Sequence, residues 1–150
     1  MKETIQQLDH IIDTYTAQLN NVSETTLAIK PASGKWSGKE LIGHLIDSAQ
    51  NNIRRFVVVQ YEERPHIVYA QDSWVATADY QNYPAKDLVA LWALLNKHIV
   101  ILLKNMPTSF TEKEVMTEQL HTVAWLAEDY NKHLLHHLHQ VLKLEEVAYP

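Results

Sequence analysis

Cysteine is absent from this chain of 150 residues, so neither a disulfide framework nor a thiolate metal site can form. Any metal site must be built from imidazole, carboxylate and water. Glycine is scarce, with three in all. Tight hairpins draw on glycine, so the shortage points to an all-helical fold. No run of lysine or arginine occurs and the formal net charge is −5, which excludes nucleic acid, a partner that calls for a concentrated basic patch. No stretch reaches the roughly 18 apolar residues needed to cross a bilayer, and the opening MKETIQQLDH lacks the apolar core of a signal peptide. These absences describe a weakly acidic cytoplasmic protein with no membrane partner. Its length suits a single domain over 1–150, enough to bury roughly 70% of the surface of the unfolded chain without a covalent staple.

What is present is helical periodicity. Ile5, Leu8, Ile11, Ile12, Tyr15 and Leu19 recur at three- and four-residue spacing and predict a first helix over 3–20. Pro31-Ala32-Ser33-Gly34 reads as a loop. Ser37-Gly38-Lys39-Glu40 then has the form of a capping box and starts a second helix, which carries Leu41, Leu45, Ile46, Ala49, Ile53 and Phe56 inward and stops at Arg64-Pro65. Residues 64–84 follow neither period for long and form a long crossover, with a short helix over Gln71 to Tyr80. Pro84 suits the first turn of a third helix that stops near Met106-Pro107. After a connection of about fifteen residues, Thr122 caps a fourth helix that runs to about Leu144.

Four of the nine histidines fall within residues 130–141 of that last helix. At 100° per residue, with His133 at zero, Leu126, Tyr130, Leu134, Leu138, Val141 and Leu144 span roughly 20° to 140° and His137 falls among them at about 40°. His136 and His139 fall on the opposite side with Lys132, Lys143, Glu128 and Glu146, where surface residues belong. The i, i+4 pair His133 and His137 is thereby separated from its neighbours. On the second helix, His44 sits at the edge of the apolar stripe, followed by Ser48, Asn52 and Arg55 in a polar seam that either faces solvent, as such seams ordinarily do, or lines a pocket suited to a small ligand. His10, His66, His98 and His121 have no comparable spacing and read as surface or packing residues.

Three neutral imidazoles from His44, His133 and His137 can hold one divalent ion (Zn, Ni or Fe) and leave a coordination position open. A histidine at the edge of a core is ordinarily just hydrogen-bonded, so spacing alone leaves both readings open. Asp47 and Asp129 each lie within one turn of a candidate ligand and can orient it, although on the wheel both lean towards solvent.

Two stretches carry a resemblance. Trp36-Ser37-x-Lys39-Glu40-Leu41-Ile42-Gly43-His44-Leu45-Ile46-Asp47-Ser48 and Tyr130-x-x-His133-x-x-His136-His137-x-x-Gln140-Val141 resemble the second- and fourth-helix signatures of the DinB-like superfamily. The resemblance implies an up-and-down four-helix bundle with a long crossover between helices two and three, and His44, His133 and His137 as metal ligands. It also implies a function among metal-dependent transferases of low-molecular-weight thiols such as bacillithiol, thiol-dependent isomerases and metal-dependent hydrolases. The expected function is a thiol S-transferase or hydrolase acting on a small molecule, with Ser48, Asn52 and Arg55 binding an anionic cosubstrate. The alternative is a non-catalytic metal-binding or small-molecule-binding stress protein. A homodimer through an exposed apolar helix face is the expected assembly.

Overall fold

The structure is a computed structural model and describes residues 1–149. Its elements are α1 (Lys2–Asn20), α2 (Glu24–Leu27), α3 (Gly38–Val58), α4 (Gln71–Ala78), α5 (Ala85–Asn105), β1 (Glu114–Met116), β2 (Leu120–Thr122) and α6 (Val123–Leu142). The expected four-helix bundle forms from α1, α3, α5 and α6, with the long crossover between the second and third of them. Among the described residues no helix is long and apolar enough to cross a membrane.

Each long helix forms for reasons visible in its sequence. Along α1 the buried Ile5, Leu8, Ile11, Ile12 and Leu19 make one apolar stripe. At the start of α3 the Ser37 hydroxyl accepts from the Glu40 backbone N–H at 3.2 Å while the Glu40 carboxylate accepts from the Ser37 N–H at 2.7 Å, completing the capping box. Thr122 caps α6 by accepting from the Trp125 N–H.

α1 and α3 each pack against both α5 and α6, so they face each other across the bundle. Contacts fix the directions. Asn131 donates to the Thr4 carbonyl and His139 meets Tyr15, so α1 and α6 run parallel. Lys104 pairs with Asp9 near the start of α1, so α5 runs the other way. His44 meets His133 while Arg55 shares a cavity with Leu126 and Asp129, so α3 opposes α6. The crossover carries the chain back along the bundle, and the four helices run up, down, down, up.

Several boundaries differ from expectation. α3 ends at Val58, before Arg64-Pro65, because the chain leaves it to pair with a hairpin: the Ile67 N–H donates to the Met116 carbonyl at 2.9 Å and the Met116 N–H to the Pro65 carbonyl at 3.0 Å. That hairpin, β1 with β2, interrupts the all-helical pattern. It pairs Glu114 with Thr122 and Met116 with Leu120. Its short loop needs no glycine because none of Thr117, Glu118 and Gln119 adopts a positive φ. The short helix α2 was not expected; Ser23 caps it. α6 stops at Leu142, where Lys143 takes a left-handed conformation (φ 55°) and turns the C-terminal tail back along the helix.

Candidate metal centre

The core stripes of α3 and α6 place the histidines. Ile42, Leu45, Ile46 and Ala49 pull one face of α3 inward, and Leu126, Leu134 and Leu138 do the same for α6. Residues at the borders of the two stripes meet along the seam between the antiparallel helices. His44, His133 and His137 each bring one ring nitrogen within 4.8 Å of the other two. Nε2 of His44 and Nε2 of His133 are 3.0 Å apart. Gln140 Oε1 lies 2.8 Å from Nδ1 of His137 and engages it, leaving Nε2 as the free nitrogen of that ring. Trp36 covers the outer face of His44, with ring centroids 5.2 Å apart.

Burial sets the charge state. His44 is 2% exposed, and desolvation, followed by the nearby His137, lowers its pKa to about 4. His133 is lowered to about 2, again chiefly by burial and then by the neighbouring His137, His44, His136 and Arg55, and burial lowers His137 as well. All three are neutral at pH 7, the state a metal ligand requires. Zn–N bonds are about 2.0–2.1 Å, so nitrogens on one ion stand roughly 3 to 4 Å apart; the His44 and His133 nitrogens already stand at such a distance, and a small closing of the set from within 4.8 Å lets it hold one divalent ion.

His44 and His133 form part of the wall of a cavity of about 210 Å³. Ser48, Asn52 and Arg55 also line it. Ser48 Oγ is 3.5 Å from His133 Nδ1, Asn52 Nδ2 donates to the Ser48 carbonyl, and Arg55 Nη1 donates to Asn52 Oδ1 at 3.4 Å. The seam is thus continuous from the histidines to the guanidinium.

Both aspartates are placed otherwise than the helical wheel suggested. Asp47 is 1% exposed and accepts from the Tyr80 hydroxyl at 2.5 Å. Burial raises its pKa to about 6, against the lowering effect of the Tyr80 bond. α4 and the turn at Tyr80–Asn82 pack on α3 and cover what would otherwise be its solvent face. Asp129 is half-buried, lines the cavity, and accepts from Tyr149 at 2.8 Å. Among the described residues neither carboxylate hydrogen-bonds a ring of the three histidines.

His136 and His139 are not open surface residues, since the tail covers them. His136 Nδ1 meets the Val147 carbonyl and His139 Nδ1 the Glu145 carbonyl, both at 2.6 Å, while His139 Nε2 meets the Tyr15 hydroxyl at 2.7 Å. His10, His66, His98 and His121 lie outside the cluster. Sequence reasoning missed Tyr69, Gln71 and Tyr149, which also line the cavity. The unusual length of the crossover was a signal for the first two; nothing in the sequence pointed to Tyr149. Burial raises both phenols, so both remain hydrogen-bond donors at neutral pH.

The family model of the DinB superfamily matches residues 7–141. The chain belongs to that superfamily. A protein of Bacillus pumilus (strain SAFR-032) bearing the name "Putative metal-dependent hydrolase" is 28% identical over 143 residues, covering 93% of this chain and 82% of its own. The solved structure of YfiT from Bacillus subtilis, described as "a probable metal-dependent hydrolase with an unusual four-helix bundle topology", superposes with a TM-score of 0.86 at 20% identity, over 95% of this chain and 83% of that one. A mycothiol-dependent maleylpyruvate isomerase shares the fold, with a TM-score of 0.73 at 17% identity, over 98% of this chain and 61% of that one.

Proposed function

We propose that this DinB-superfamily protein is a metal-dependent enzyme of the thiol S-transferase or hydrolase type, with His44, His133 and His137 as the ligands of one divalent ion. The observation that carries this reading is the convergence of three neutral imidazole nitrogens beside a polar cavity. The names of the relatives support it: one is called "Putative metal-dependent hydrolase", and a structural neighbour is a mycothiol-dependent maleylpyruvate isomerase.

What a divalent ion supplies at such a site is Lewis acidity, which brings the pKa of a thiol or water down towards neutrality. The protein's own residues do the rest. Burial keeps the three imidazoles unprotonated. Arg55, Asn52 and Ser48 bind the polar end of a small-molecule substrate, and the Tyr69 hydroxyl donates to it. Leu126 and the ring of Tyr130 form the apolar part of the wall and limit the water in the cavity. Leu91, Leu94 and Ile101 are exposed on α5 and support a homodimer through that face, which sedimentation would test.

The test is turnover. Protein depleted of metal and then reloaded with Zn, Ni or Fe is assayed with low-molecular-weight thiols against epoxide and chlorinated electrophiles, and with ester and amide substrates. Metal-dependent turnover abolished in His133→Ala supports the proposal. Metal binding without turnover of any of these would favour the non-catalytic binding protein.

A further inference from the structure

Arg55 and Asp129 carry opposite charges and line the same cavity. Neither belongs to the ion pairs among the described residues, which join Lys30 to Glu40, Lys39 to Glu24, Arg64 to Glu114 and Lys104 to Asp9. Arg55 is fixed in place: Nε and Nη2 donate to the Ile67 carbonyl at 3.3 and 3.1 Å, and Nη1 donates to Asn52. A guanidinium has five N–H donors, so two are left. On Asp129, Oδ2 accepts from Tyr149, and Oδ1 makes no hydrogen bond among the described residues. Opposite charges held apart at the wall of a partly desolvated cavity are costly unless something bridges them.

We infer that the cavity binds a zwitterion of the α-amino-acid type, its carboxylate on Arg55 and its ammonium on Asp129. The carboxylate takes the two remaining N–H donors of the guanidinium, a charge-assisted arrangement that a neutral group cannot match. The ammonium donates to Oδ1 of Asp129. Asp129 lies one turn before His133 on α6, and His133 and His44 line the same cavity, so a ligand held in this way has its side chain in the space that the two histidines share. Resting on the metal-enzyme reading only for that last placement, the small thiol of the proposed reaction is an amino-acid thiol and not a simple anionic one.

The test uses metal-free protein and three thioethers of one skeleton: S-methyl-L-cysteine with both charges, methylthiopropionate with the carboxylate alone, and methylthioethylamine with the ammonium alone. Titration calorimetry is expected to show the zwitterion binding at least about tenfold more tightly than either single-charge probe. Arg55→Gln should reduce the zwitterion to the level of the ammonium probe without changing the latter, and Asp129→Asn should reduce it to the level of the carboxylate probe. Equal affinity for all three probes, or no binding of the zwitterion at millimolar concentration, would overturn the inference, and this wild-type series decides even if a variant does not fold. Zinc uptake by the same preparation is read separately: uptake without zwitterion preference overturns this inference and leaves the metal site standing, and preference without uptake does the reverse.

Discussion

Nε2 of His44 on α3 and Nε2 of His133 on α6 stand 3.0 Å apart, although the two residues are separated by 89 positions in the chain. Two neutral rings meet there only because the apolar stripes of two antiparallel helices bury their borders against each other. His136 and His139, within one turn of His133 and His137, hold the tail instead. His136→Ala and His139→Ala should therefore leave zinc affinity within a few-fold of wild type, whereas His44→Ala and His137→Ala should lower it by orders of magnitude. Competition titration with a chromophoric chelator measures both, and equal losses in all four variants would mean that the ligand set is wrong.

The depressed histidines make stability depend on pH. Above pH 6.5 they are neutral in both folded and unfolded chains. As the pH falls, the unfolded chain takes up protons near 6.5 while folded His44 resists to about 4 and His133 to about 2, so stability is complete above 6.5 and is lost on acidification through that window. Each such histidine contributes a slope of up to about 1.4 kcal/mol per pH unit. Asp47, raised from 3.8 to about 6, acts in the opposite sense and offsets about one histidine below pH 6. Urea unfolding of metal-free protein at pH 7 and pH 5 should show a net loss, and equal stability at the two values would contradict the buried, neutral assignment.

Gly43 has no room for a side chain, because a methyl there would overlap the ring of Tyr80. Gly43→Ala must displace Tyr80 and with it the hydroxyl that holds Asp47. Overpacking of this kind costs about 1–3 kcal/mol, and losing the bond to a buried carboxylate adds to it. A midpoint of urea unfolding unchanged from wild type would show that α3 and the Tyr80 turn are not packed as described.

The tail shields the site. The Tyr149 ring lies 5.3 Å from that of His133, centroid to centroid, and its hydroxyl holds Asp129. Tyr149→Ala should raise several-fold the rate at which diethyl pyrocarbonate modifies His133 in metal-free protein, with little change in melting temperature. Mass spectrometry of the modified peptide reads this directly, and an unchanged rate would remove the tail from the account of the site.

Much of this was legible in the sequence because it depends on local patterns. The stripe of α1, the Ser37–Glu40 box and the Thr122 cap each need only a few neighbouring residues, and the helical wheel alone separated His133 and His137 from His136 and His139. What escaped depends on contacts between distant segments. Asp47 appeared solvent-facing because nothing local says that Tyr80 packs over Gly43. Tyr69 reaches the cavity because the crossover pairs with Met116 in a hairpin that the glycine count argued against. The burial of His136 and His139 follows from a left-handed Lys143 that reverses the chain, a conformation a lysine does not advertise.

The central claim is that His44, His133 and His137 hold one divalent ion, and elemental analysis of the purified protein tests it most directly. Wild type is expected to carry one equivalent of a divalent metal per chain and to lose melting temperature when a chelator removes it, while His133→Ala should carry far less and be indifferent to the chelator. Wild type and His133→Ala with the same metal content, and the same melting temperature with and without chelator, would contradict it.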